Sequence, residues 1–228
     1  MPEGFYMLTE TVEQIEKKIL NALKDELNSK LVKTLEPIRQ RMKSLTYKFL
    51  KDTPEYRALI NGPLYGEFGF WAGTAEPKVE RLLDIASDQV KVEHIKITSI
   101  SREAFTGGIR IYIMPSDFKE LLSSQDADIV TEKGIVLSWL EWLITRGDRI
   151  VIEDYLFSPS KNHPRSRSGD GLMHRTKKPR KFWRVPPEYA GTIRNNWFTR
   201  ALRDMSEIFA QYTETIINEE INRVLIHE

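Results

Sequence analysis

The chain has 228 residues, 40% of them apolar, a formal net charge of +1 and no cysteine. That length and apolar content suffice for one packed domain with helical extensions, and the missing thiols exclude disulfides, thiolate zinc sites and a cysteine nucleophile. No apolar run approaches the roughly 18 residues of a membrane span, and the opening MPEGFYMLTETVEQ lacks the basic start and apolar stretch of a signal peptide, so a chain that neither crosses a membrane nor is exported is expected.

From Thr9 to about Leu50 the apolar residues Val12, Ile15, Ile19, Leu23, Leu27, Leu31, Leu35, Ile38, Met42, Leu45 and Phe49 recur at spacings of three and four, which predicts a helix with one buried stripe. Thr9 is the expected N-cap, and Pro37, which lacks a backbone donor, is expected to kink or split the helix near Leu35. So long a helix reads equally as a core element and as one that packs partly on a neighbouring subunit.

Thr53 with Pro54 behind it reads as the capped start of a short helix ended by Gly62. In the following GPLYGEFGFWAG the glycines form no phosphate loop, since the Lys-Ser/Thr ending is absent. Leu64, Tyr65, Phe68, Phe70 and Trp71 read as packing residues, with a partner surface as the alternative. Glu76 to Asp88 is amphipathic through Val79, Leu82, Leu83 and Ala86. VKVEHIKITSI then alternates with a slip near His94, which predicts a bulged strand. Gly107-Gly108 marks a turn before IRIYIMP, so residues 90–114 are expected as an antiparallel hairpin with a longish connection. A helix capped by Ser116, a short strand at Asp128 to Thr131, a helix over IVLSWLEWLITRG ended by Gly147, and a last strand RIVIEDYLF follow.

Beyond Asn195 the apolar residues from Trp197 to Leu225 again keep helical spacing, with Asn195 or Asn196 as the N-cap. The fold class is therefore α+β, a small, mostly antiparallel sheet flanked by long N- and C-terminal helices. The expected division is an N-terminal helical segment over 1–52, an α+β core over 53–157, a basic extended loop over 158–192, and a C-terminal helix over 193–228 packing on the core.

That basic loop carries the functional reading. Asp170 is the one acid between Lys161 and Arg184, against Arg165, Arg167, Arg175, Lys177, Lys178, Arg180 and Lys181. With so few apolar side chains the segment is expected on the surface, ordered by a partner. Phe182 and Trp183 beside the cations would suit a nucleic-acid strand, but near-neutral overall charge and the absence of a nucleic-acid fold signature favour a protein partner. Acidic helices elsewhere in the chain could receive the arginines. In RVPPEYAGTIRNNWFTRAL, Pro186-Pro187 forces an extended approach, and Tyr189, Trp197 and Phe198 are candidate interface anchors, the alternative being that they pin the last helix to its own core.

Catalytic signatures are missing: no G-x-S-x-G elbow, no H-E-x-x-H helix, no EF-hand loop, and four scattered histidines. No catalytic residue, metal or cofactor is implied. The enzymatic rival is a small hydrolase or nuclease using Asp126, Asp128 and Glu153.

The segment EYRALINGPLYGEFGF, the small β region, and RVPPEYAGTIRNNWFTRAL leading into a long helix resemble the neck and tail-completion proteins of contractile-tailed bacteriophages. More remotely, the order is similar to head-tail connector proteins, where an α+β domain precedes a P-x-x-P-F-like segment and a closing helix. Here that segment would be Asn195, Asn196, Trp197 and Phe198 with Ala201 and Leu202, the prolines being displaced to Pro186 and Pro187. The resemblance implies a virion protein assembled in the host cytoplasm as a homo-oligomeric ring at the head-tail junction. Its neighbours would be connector or portal proteins on one side and tail tube or sheath on the other, with transient contact with phage DNA possible in the channel and no membrane. A tail terminator or minor tail protein is the alternative within that class, and a nucleic-acid-binding accessory protein the alternative outside it.

Overall fold

The protein is described by a computed structural model over residues 10–101, 104–113, 118–162, 164–176, 182–204 and 206–226. Thr11 caps the first helix: its hydroxyl accepts from the Gln14 N–H (3.3 Å), while the Gln14 side chain accepts from the Thr11 N–H (2.9 Å). The expected cap Thr9 lies outside the described residues. Helix α1 then runs from Val12 to Lys51 without interruption, Pro37 included. The expected split near Leu35 does not occur, because proline removes one hydrogen bond while buried Thr34 and Ile38 on either side hold the turn in place.

Contacts divide the chain into two compact units, one of residues up to Arg41 with 91–112 and 213 onward, the other of residues 42–90 and 113–212. This differs from the linear division expected, since the central hairpin groups with segments of the two terminal helices.

In the first unit, β1 (Lys91–Ile100) and β2 (Phe105–Tyr112) pair antiparallel, with the register shifting between Ile95 and Ser99. The bulge sits later than His94, and the Gly107-Gly108 pair lies inside β2 instead of at the turn. A Cβ at Gly107, whose φ is +130°, would come within 2.6 Å of the Ile97 Cα, so the glycine is what lets the strands close over the bulge. The Asn28 side chain completes the other edge of β1: its Oδ1 accepts from the Ile97 N–H (2.7 Å) and its amide donates to the Ile97 carbonyl (3.1 Å).

The second unit holds the main core. Thr53 accepts from the Tyr56 N–H (3.3 Å) to cap α2 (Pro54–Asn61), and Gly62 separates it from α3 (Pro63–Phe68), a helix where glycine-rich turns were expected. Helix α4 (Ala75–Asp88) buries Val79, Leu82, Leu83 and Ala86 as its pattern predicts. After the hairpin come α5 (Lys119–Leu122), a single 3-10 turn over Gln125–Ala127, and the small ladder of β3 (Ile129–Val130) with β4 (Val136–Leu137). Ser116 lies outside the described residues. Helix α6 covers Trp139–Ile144, shorter than expected because Val136 and Leu137 pair as a strand.

The segment RIVIEDYLF is not the last strand. Asp154, at φ +60°, breaks it into β5 (Ile152–Glu153) and β6 (Tyr155–Pro159). Antiparallel to these run β8 (Phe182–Trp183) and β7 (Gly171–Arg175) respectively. Helix α7 spans Trp197–Asp204 and α8 Ser206–Ile226. Asn196 caps α7, its Oδ1 accepting from the Thr199 N–H (3.2 Å) and its N–H donating to the Thr199 hydroxyl (2.8 Å). The α+β class stands, with the strands of the described residues arranged as four separate two-stranded antiparallel ladders.

Candidate assembly interface

The segment expected as an extended basic loop forms, in its described residues, much of a β-hairpin. Residues 151–159 pair with 171–176 and 182–183, and the tip is tied by Ser160 N–H to the Asp170 carbonyl (3.0 Å) and Asn162 N–H to the Gly169 carbonyl (2.7 Å). Its polar composition conceals a few apolar anchors. Phe157 and Met173 pack on the core, and Trp183 and Val185 are buried in it.

Trp183 therefore serves the core and not an outside partner. Its Nε1 donates to Glu67 Oε2 (3.0 Å), and its indole meets Phe68 and Trp142 edge-on, each 5.9 Å away. Burial raises the pKa of Glu67, while the Trp183 donation opposes that rise. Trp197 and Phe198 are fully buried and stacked 4.8 Å apart. The Trp197 Nε1 donates to the Thr53 hydroxyl (2.7 Å), and Phe198 stacks on Phe118 at 5.8 Å. Both rings pin α7 to the core, so their expected role as exposed anchors does not hold in this fold. Tyr189 is half-buried against the same core.

A buried ion pair holds the approach to α7. The Arg200 guanidinium donates from Nε (3.1 Å) and Nη2 (2.8 Å) to Glu55 Oε1, and also to the carbonyls of Ala190 (3.1 Å) and Tyr189 (2.9 Å). The sequence reading passed over Glu55 and Arg200, because nothing local marks a pair this far apart in the chain.

Of the basic candidates, Arg165 and Arg175 are exposed on the hairpin, and Lys177, Lys178, Arg180 and Lys181 lie outside the described residues. Arg167 is half-buried and lies over the Trp71 indole at 5.9 Å. Its Nη1 is buried without a hydrogen-bond partner among the described residues, and burial lowers its pKa. Gly69, in the left-handed region at φ +68°, is required beneath it: a Cβ there would stand 2.6 Å from Arg167 Nη2. Trp71 itself is 37% exposed.

Two helices carry exposed apolar side chains at helical spacing. On α1, Val12 (72% exposed), Ile19 (61%) and Leu23 (42%) continue one stripe along the first turns. On α8, Ile208 (50%) and Tyr212 (52%) are neighbours one turn apart. Val12, Ile19 and Leu23 belong to the stripe expected to be buried in the core or against a neighbouring subunit, and Ile208 and Tyr212 to the helical spacing expected of the last helix.

Of the three residues of the enzymatic rival, Asp126 is engaged in ion pairs within the fold. Arg81 grips Asp126 with two hydrogen bonds of 2.7 Å, with Lys78 at 3.6 Å, and the Arg81 bonds hold the Asp126 carboxyl below its ordinary pKa. Among the described residues no group of three or more His, Asp or Glu side chains is placed to hold a metal ion, and no helix is long and apolar enough to cross a membrane. No protein-family model matches the chain, and no curated protein or solved structure matches it either.

Proposed function

We propose that this chain is a structural subunit of a multi-copy assembly, a neck or tail-completion protein that forms a ring at the head-tail junction of a tailed bacteriophage. The observation that carries the assembly part of this reading is the uncovered stripe Val12, Ile19 and Leu23 on a helix of 40 residues, about 60 Å long. A continuous apolar stripe left in water is a cost that a second copy or a neighbouring subunit relieves, and subunits of closed assemblies must present such surfaces. The head-tail placement rests on the likeness of EYRALINGPLYGEFGF and RVPPEYAGTIRNNWFTRAL to phage neck and tail-completion proteins, with a tail terminator or minor tail protein as its near variant.

The test is to fractionate purified phage particles into heads, tails and joined particles and to locate the chain by mass spectrometry. Stoichiometric presence in joined particles or at a tail end is the expected result. Absence from every particle fraction would exclude the virion reading.

A further inference from the structure

Asn61 and Gly62 join α2 to α3 and form the one Asn-Gly pair in the chain. The fold dictates the glycine. A Cβ at position 62 would stand 2.6 Å from the Ala58 Cα and 3.2 Å from the Ala58 carbonyl oxygen, backbone atoms one turn back that have no freedom to yield. Lying before Pro63, Gly62 is also held extended, at φ −114° and ψ −162°, and its carbonyl accepts from the Tyr65 N–H (3.2 Å). No such demand fixes the asparagine. Asn61 is exposed, and its side-chain amide makes no hydrogen bond among the described residues.

The two groups that react with each other in an Asn-Gly pair are therefore both available. The Gly62 N–H follows the last residue of α2 yet makes no hydrogen bond among the described residues. The N–H of Gly69, in the same place at the end of α3, is by contrast held by the Gly66 and Tyr65 carbonyls. Glycine puts no side chain over its nitrogen, and the exposed Asn61 side chain turns its Cγ toward that nitrogen by rotation in water, with no hydrogen bond to break.

We propose that Asn61 is a site of spontaneous deamidation that yields aspartate and isoaspartate, an inference independent of the assembly reading above. The Gly62 nitrogen gives its proton to solvent and bonds to Asn61 Cγ. The Cγ–N bond of the side-chain amide breaks, and ammonia leaves with a proton returned by solvent. Water then opens the resulting five-membered succinimide at one of its two carbonyls. Addition at Cγ leaves aspartate, and addition at the main-chain carbonyl leaves isoaspartate, with the chain now running through Cγ. One water enters and one ammonia departs, with no change in oxidation state. Either product places a carboxylate at the C-terminal end of α2, where the helix dipole disfavours it, and lowers the formal net charge of +1 by one. Isoaspartate also lengthens the main chain by one carbon where Gly62 lies against Ala58 with no room for a methyl group.

The test incubates the purified chain in mildly alkaline buffer at body temperature, once native and once in concentrated urea. The tryptic peptide from Ala58 to Lys78, in which Asn61 is the one side-chain amide, is followed by mass and by reversed-phase chromatography. The native protein is expected to gain the mass increment of an amide replaced by an acid, divided between two chromatographic peaks. Its rate is expected within about tenfold of the rate in urea, since local motion suffices. A larger slowing, toward the roughly thousandfold or more that waiting on global unfolding imposes, overturns the proposal. A single aspartate peak without isoaspartate overturns it too, because the succinimide opens both ways.

Asn61→Gln is the control for mechanism. Glutamine must close a six-membered ring and does so slowly, so this variant is expected to fold and melt as wild type does while the peptide keeps its mass. An equal rate in Asn61→Gln would show direct hydrolysis of an exposed amide in place of attack by the Gly62 nitrogen, and the proposal would end there.

Discussion

Arg200 on α7 and Glu55 on α2 stand 145 residues apart in sequence and 2.8 Å apart in the fold, and the same guanidinium binds the carbonyls of Tyr189 and Ala190. One side chain thus fastens the segment before the last helices to the second helix of the chain. The pair is largely shielded from water, so its attraction is little screened, but either partner left alone would be a buried charge. Arg200→Ala is expected to lower the stability of the protein by about 3–5 kcal/mol, measured by urea denaturation. A loss of under about 1 kcal/mol, the range of exposed pairs, would show that the pair is not a clasp.

Trp197 and Trp71 separate core from surface. Trp197 is fully buried, stacked on Phe198 and bonded to Thr53, so Trp197→Ala is expected to cost about 3–5 kcal/mol. Trp71→Ala is expected to change stability by less than about 1 kcal/mol. Thermal melts of both variants check the contrast, and equal losses would contradict it.

Asn196 satisfies the Thr199 N–H in the first turn of α7, and the Thr199 hydroxyl accepts from the Asn196 N–H in return. Replacing it with alanine is expected to cost about 1 kcal/mol, and replacing it with aspartate or serine much less, as read from urea midpoints.

Glu67 gives the folded state a pH dependence of definite sign. Burial beside Trp183 raises its folded pKa, so its carboxyl is accommodated best when protonated. Its contribution to stability is full below the unfolded pKa and is lost as pH rises through the folded value. Glu67→Gln keeps an acceptor for the Trp183 N–H and removes the titration. The variant should therefore match wild type in acid and exceed it in stability near neutrality. Urea midpoints across that range measure the difference, and a difference that does not change with pH would contradict it.

Much of this fold was legible in the sequence. The stripes of α1 and α4, the Thr53 cap with Pro54 behind it and the Asn196 cap are local signals, and each element forms where its pattern places it. What was misread depended on distant partners. The Gly107-Gly108 pair looked like a turn because glycine permits turns, yet here it accommodates the close approach of Ile97 across the ladder. The segment from Ser158 to Trp183 looked like an extended surface loop awaiting a partner because cations outnumber its apolar residues, and the packing of Met173 and Trp183, with Phe157 before them, could be recognised only once the core they meet had been assembled. For the same reason Trp197 and Phe198 looked available to a partner, while the uncovered side chains Val12, Ile19, Ile208 and Tyr212 followed a pattern no different from that of buried ones.

Association of this chain with copies of itself is tested most directly by the native mass of the purified protein over a range of concentrations, by light scattering and native mass spectrometry. The account predicts a closed oligomer whose mass reaches a fixed multiple of 26.6 kDa as concentration rises. A mass that stays at that of one chain throughout would contradict it.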